Sequence, residues 1–186
     1  VNLSAVSGRD VSFSRATVNG TATVANNDYV ALAPQTLSIL AGSTSLTIPV
    51  TINGDTTFEG NESFTVALTG ISNATPASIS GTGTLEEDDQ QPTTTTITAD
   101  TPDPTVVGQP YTVNVNVAAQ TLSPTGTVTI TDGSASCGPV TLTAATLPNS
   151  SASCALTSTT AGPKTLTASY TAATTAFGNS ASSGTP

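Results

Sequence analysis

Apolar residues in this chain recur at every second position, in short runs broken by turn-forming residues, and no apolar 3.6-residue period persists with caps at both ends. That spacing buries one side of an extended segment and leaves the other to solvent, so it commits the chain to antiparallel β-structure. Val11-Ser12-Phe13-Ser14 alternates, Asn19-Gly20 carries a hairpin signal, and Thr21 to Val24 resumes an extended pattern before Asn26-Asn27-Asp28-Tyr29 interrupts it. Further strands are expected at Leu37 and Ile39, along Leu46, Ile48, Val50 and Ile52, at Phe64 to Leu68, and over Ile79 to Leu85. Pro49 lacks a donor, so its side of the 46–52 strand belongs at an edge or bulge. The later half repeats the habit with Tyr111, Val113, Val115 and Val117, then Val128 and Ile130, Val140 and Leu142, Ala152, Cys154 and Leu156, and Leu166, Ala168 and Tyr170. Short strands at this spacing are what an immunoglobulin-like sandwich shows.

At Glu86-Glu87-Asp88-Asp89 the alternation stops in four acids, followed by Gln90-Gln91-Pro92 and Thr93 to Thr96. A composition shift of this kind marks a domain boundary. The expected organisation is a sandwich over residues 1–89, a linker over 90–96 and a second, dissimilar sandwich over 97–186: an all-β chain of two tandem antiparallel β-sandwiches. A length of 186 residues suits two small cores. The outer strands read as incomplete, since only Val1-Asn2-Leu3-Ser4 stands where a full opening strand belongs and Gly178 to Pro186 is Ser/Gly-rich where a closing one belongs. Two explanations stand side by side, a fragment of a longer repeat protein or strands exchanged with neighbouring subunits in a filament.

Charge narrows the function. Twelve acids against Arg9, Arg15 and Lys164 give a net charge of −9, which disfavours nucleic acid and anionic membrane surfaces as partners. His, Met and Trp are absent, which removes the commonest general base and the imidazole metal ligand. No nucleophile sits with a base, so the chain reads as non-enzymatic. No run is long enough to span a bilayer and the first residues do not form a signal peptide. Abundant Thr, Ser, Gly, Ala and Val with one Lys describe an extracellular β-rich protein.

The scarce charge is concentrated. Asn53-Gly54-Asp55-Thr56-Thr57-Phe58-Glu59-Gly60-Asn61-Glu62 places Asp55, Glu59 and Glu62 between two alternating strands. Oxygen ligands on a flexible loop suit calcium better than other common metals. A solvated acidic rim that keeps a Lys-poor protein soluble is the competing reading. Cys137 and Cys154 are the only cysteines. Bonded, they close a loop worth roughly 3 kcal/mol in the chain-entropy model; unbonded, each is a small buried apolar residue.

Gly20-Thr21-Ala22-Thr23, Asn27-Asp28-Tyr29, Leu37-Ser38-Ile39 with Ala41-Gly42, Asp55 to Val66, and Gly83-Thr84-Leu85 ahead of the acids together resemble a Calx-beta domain. Pro124-Thr125-Gly126-Thr127-Val128-Thr129 and Gly162-Pro163-Lys164-Thr165-Leu166-Thr167-Ala168-Ser169-Tyr170 resemble a bacterial immunoglobulin-like repeat. The first resemblance implies a calcium site at one end of the sandwich, with Asp28, Asp55, Glu59, Glu62, Glu86, Glu87, Asp88 and Asp89 at the matching positions. Gly54 stands where an acid is frequent, and Glu86 and Glu87 replace residues that are usually Asp, so weak or partial binding is expected, on the order of 10⁻⁴ to 10⁻³ M. The two resemblances together imply non-catalytic structural or adhesive stalk modules of a bacterial cell-surface protein, with calcium stiffening the joint between sandwiches. Expected partners are neighbouring domains or subunits of the same protein, and cell-surface glycans or proteins. A filament or sheath subunit using strand addition, and a glycan-binding accessory domain, are the alternatives.

Overall fold

The computed structural model describes residues 1–184, and the chain divides into two units, Val1–Glu87 and Asp88–Pro186. In the first unit β1 (Val11–Asn19), β2 (Gln35–Ile39), β3 (Glu62–Thr69) and β4 (Ser80–Leu85) form one antiparallel sheet in the order β2-β1-β3-β4. Val11 pairs with Ile39 and Phe13 with Leu37, while Phe64 and Val66 of β3 lie opposite Gly83 and Gly81 of β4. Paired positions share a face. Val11, Phe13 and Ile39 make one buried cluster, and Ala22, Tyr29 and Phe64 a second.

The layer facing this sheet is stitched rather than laddered. Where alternation predicts a strand over 46–52, only isolated bridges form, Tyr29 with Ile52 inside that range and Asn2 with Ser45 just before it. The side chains still alternate: Leu46 and Ile48 pack on the Val11 cluster and Val50 on the Tyr29 cluster. Pro49 explains one interruption, because it has no N–H to extend the pairing that residues 28–30 begin. The 21–24 segment also departs from expectation. Instead of a hairpin arm it forms a turn that runs to Asp28, with the Asn27 backbone in the left-handed region at φ 69°.

The second unit is a closed sandwich of two four-stranded antiparallel sheets. One joins β5 (Thr94–Thr101), β6 (Pro110–Ala118), β10 (Asn149–Thr157) and β9 (Thr143–Ala144) in that order; the other runs β12 (Ser180–Gly184), β11 (Leu166–Ala172), β7 (Gly126–Thr131) and β8 (Ser136–Thr141). The Ser/Gly-rich tail thus supplies a strand, held by the backbone ladder to β11. Tyr111, Val113, Val115 and Val117 of β6 meet Val128, Ile130, Ala168 and Tyr170 in one core. The 90–96 stretch packs into this unit: Gln91 is buried, its carbonyl accepts from Gly178 N–H at 2.9 Å, and its side-chain oxygen accepts from Thr121 N–H at 3.1 Å. Among the described residues no helix is long and apolar enough to cross a membrane.

Two fasteners cross between the sheets of the second unit. Cys137 of β8 and Cys154 of β10 are joined in a disulfide, with Cα atoms 6.3 Å apart. Asp132, 4% exposed, accepts from the Tyr111 hydroxyl at 2.9 Å, the Ala135 and Ser134 N–H groups at 2.6 and 2.7 Å, and the Ser134 and Ser158 hydroxyls. Burial opposes the ion, but the donors from Ser158, Ala135 and Ser134 outweigh it and hold this carboxyl well below the usual carboxylate range.

A depressed carboxyl stabilises the fold above its unfolded pKa, and that stability is lost as pH falls through the folded value. Asp132→Asn keeps the shape but removes the charge and turns one acceptor into a donor. Urea denaturation at neutral pH is expected to show a loss of about 3 kcal/mol in the second unit. A loss below about 1 kcal/mol would mean the network is dispensable.

Candidate metal centre

The acidic loop is tied to the Asp28 turn by one asparagine. The Asn53 N–H bonds the Asp28 carbonyl at 3.0 Å, and its side-chain amide donates to the Asn27 carbonyl at 2.9 Å and the Asn27 side-chain oxygen at 3.2 Å. On the other side of Asp28, the Tyr29 ring stacks on Phe64 with centroids 4.4 Å apart, and the Tyr29 hydroxyl donates to the Asn19 side chain at 2.5 Å. Phe64 is two residues past Glu62, on the same face of β3. The stack therefore brings Asp28 over the start of that strand.

Three carboxylates meet there. Asp28, Glu59 and Glu62 each offer an oxygen, and these oxygens lie within 4.8 Å of one another. Asp28 is buried and also accepts the Thr23 N–H at 2.5 Å. Burial raises the pKa of Glu62, and the charge of Asp28, a side-chain hydrogen bond with it, and the charges of Glu59 and Glu87 raise it further.

Glu87 has a different task. Its carboxylate accepts the N–H groups of Glu59 and Gly60 at 2.6 and 2.5 Å, and its own N–H donates to the Asn61 side chain at 2.9 Å. Gly60 takes a left-handed φ of 86°, which lets the loop present both amides to one carboxylate. The pairing of Glu62 with Leu85 sets this up, since it brings the chain after β4 alongside the chain before β3.

Of the acids singled out in the sequence, Asp28, Glu59 and Glu62 converge and Glu87 holds their loop. Asp55 caps its own turn by accepting the Thr57 N–H at 2.6 Å, Glu86 is exposed, and Asp88 and Asp89 belong to the second unit. None of these four joins the three-carboxylate group. Asn53, Asn61 and Thr23 position the site, a role that the stretches containing them do not reveal in the sequence. Their signal there was weak: an amide or hydroxyl residue beside an acid.

The donor chemistry fits a hard cation. All three side chains present oxygen, and bidentate binding would supply up to about six ligand atoms, the low end of what calcium takes. Thiolate and imidazole, which softer metals favour, play no part.

Together these features define a class: tandem antiparallel β-sandwich modules, the first with an oxygen-only acidic group at one end of its sheet. The chain belongs to the Calx-beta domain family, whose model matches residues 1–101, and its later part matches the bacterial Ig-like domain (group 3) over residues 97–186. Among solved structures it is similar to CBD12 from CALX1.2, with TM-score 0.45 and 16% identity over 91% of this chain and 71% of that one. It is likewise similar to the calcium binding domain CBD12 of CALX1.1, with TM-score 0.46 and 17% identity over 91% and 69%. No curated protein matched the chain significantly.

A raised carboxyl binds more protons folded than unfolded between its two pKa values, so stability falls as pH rises through that window. In calcium-free buffer the first unit is expected to melt at a higher temperature at about pH 5 than at about pH 7, followed through the Tyr29 ring signals. A midpoint that stays constant or rises between about pH 5 and about pH 7 would show that the Glu62 repulsion is not felt by the fold.

Proposed function

We propose that the chain is a pair of non-catalytic structural modules from an extracellular bacterial surface protein, and that the first unit binds one calcium ion through Asp28, Glu59 and Glu62. The observation that carries this reading is the convergence of the three carboxylate oxygens on one another, with every influence on Glu62 acting to disfavour its charge. A divalent cation reverses the sign of that repulsion. Asp55, Glu86, Asp88 and Asp89 are left out of the proposed ligand set.

Calcium acts in this reading on the chain's exit from the first unit. Glu87, the last residue of that unit, grips the amides of Glu59 and Gly60. Ordering the ligand loop therefore orders the segment that leads onward, which is how metal binding stiffens the joint. The bacterial Ig-like match and the Cys137–Cys154 disulfide support placement in an oxidising, extracellular setting. Partners are neighbouring domains of the same protein and surface glycans or proteins, and the chemistry favours no nucleic acid.

Calorimetric melting tests the site. With a dissociation constant of about 1 mM, about 10 mM calcium is expected to stabilise the first unit by about 1.4 kcal/mol. Glu62→Gln is expected to abolish that shift and to raise the calcium-free midpoint, because it removes both a ligand and a like charge. A variant that keeps the full shift would defeat the assignment. Small-angle scattering with calcium and then chelator tests the joint, and an unchanged profile would sink the stiffening claim alone.

A further inference from the structure

The chain contains two Asn-Gly pairs, Asn19-Gly20 and Asn53-Gly54, and the fold treats them differently. In such a pair the glycine backbone nitrogen can attack the asparagine side-chain carbonyl carbon, because glycine has no Cβ to shield that nitrogen and has the freest backbone to reach the ring-closing conformation. At the first pair the route is closed. Asn19 ends β1, and its side-chain oxygen accepts from the Tyr29 hydroxyl at 2.5 Å and from the Val24 N–H at 3.4 Å. The Gly20 N–H is already donated to the Ala22 carbonyl at 3.2 Å, and the Ser63 carbonyl stands so close that a Cβ at Gly20 would clash with it, which leaves this backbone no room to turn.

Asn53-Gly54 is open on each count. Neither residue belongs to a strand. Gly54 is exposed, its N–H has no hydrogen-bond partner among the described residues, and a Cβ there would meet nothing within 4 Å. The Asn53 side chain is held through its amide, by the two bonds to the Asn27 carbonyl and side-chain oxygen, and both lie at the surface. Surface bonds of this kind break and re-form without unfolding of the unit.

We propose that Asn53-Gly54 is a self-modifying pair whose conversion releases the Asp28 turn from the acidic loop. The Gly54 nitrogen bonds to Asn53 Cγ and gives up its proton, the Cγ–Nδ2 bond breaks, and ammonia leaves with that proton. Water then opens the five-membered imide. Attack at Cγ leaves an aspartate; attack at the Asn53 main-chain carbonyl carbon leaves an isoaspartate, in which the chain runs through the former side chain. Either product deletes the amide that grips Asn27 and adds a negative charge to a loop that already carries Asp55, Glu59 and Glu62. The turn that bears Asp28 is thereby unclamped, and calcium affinity falls with it. That last consequence rests on the calcium reading above, whereas the conversion does not. Calcium on Asp28, Glu59 and Glu62 holds both sides of the clamp together, so the metal-free unit is the one that converts.

The test ages the whole chain in calcium-free buffer at neutral pH and maps it by mass spectrometry, with isoaspartate read by enzymatic methylation. Conversion at Asn53 is expected to exceed that at Asn19 about tenfold or more. Gly54→Ala, which the open space accommodates, is expected to keep the thermal midpoint and to remove that excess. Asn53→Asp, one of the two products, is expected to speed amide exchange at Thr23, whose N–H the Asp28 carboxylate accepts, and to weaken calcium binding, each about tenfold. With a dissociation constant of about 1 mM, about 10 mM calcium lowers the metal-free fraction about tenfold, and conversion is expected to slow by the same factor. Equal conversion at Asn19 and Asn53 would overturn the proposal, as would unchanged Thr23 exchange in Asn53→Asp. Conversion at Asn53 that calcium fails to slow would count instead against the three-carboxylate assignment and leave the self-modifying pair standing.

Discussion

The packing of the Phe64 ring over Gly83 is the contact on which the first unit's site depends. A Cβ at Gly83 would lie 2.5 Å from the ring, so only a glycine lets Phe64 rest against β4. With the ring held there, Tyr29 stacks on it and is buried. Asp28 is the next residue, and its position over Glu62 follows from that stack. A contact between an aromatic ring and a bare backbone position thus places a buried carboxylate, which hydrophobic burial alone would never select.

The same glycine habit has a second consequence along β4. Gly81 and Gly83 are both on the core face, and only Gly83 is covered, by Phe64. The opposing layer is held by isolated bridges rather than a ladder. One side of the first unit is therefore closed by aromatic packing and the other is left open, while the second unit fills its interior with branched and aromatic side chains from two complete sheets. The two halves share an architecture and differ in how much of it each completes.

Much of this was legible in the sequence. Period-two alternation marked β1, β3, β6, β7, β10 and β11, because those strands bury one face against a core and expose the other. Alternation reports burial, however, and not pairing. The 46–52 segment turns Leu46, Ile48 and Val50 to the core as its pattern demands, yet it lacks a ladder, since Pro49 interrupts one edge and the other is paired only at Leu46, with Val1, among the described residues. The turn at 21–28 was hidden for a related reason: Thr and Val favour strands in general, while the Asp28 carboxylate and the left-handed Asn27 fold this stretch back. For the site, the acids were visible as a composition anomaly. Which of them converge was not, because that depends on the Glu62–Leu85 register and on Glu87 reaching back to the Glu59 and Gly60 amides.

Asp28 and Asp132 show the two ways a chain can bury a carboxylate. Both are about 4% exposed. Asp132 is surrounded by donors, three hydroxyls and two backbone amides, so its charge is stabilised where it stands and its work is done in joining strands. Asp28 has one backbone donor and is otherwise faced by Glu62 and Glu59, groups that ionise with the same sign. Nothing in folding alone favours that second arrangement, because like charges at short range in a partly desolvated site oppose ionisation. The chain nevertheless builds it with care, from an aromatic stack, an asparagine clamp and a glutamate that grips two amides. Neighbours held at this spacing against their own repulsion are the feature on which the calcium proposal rests.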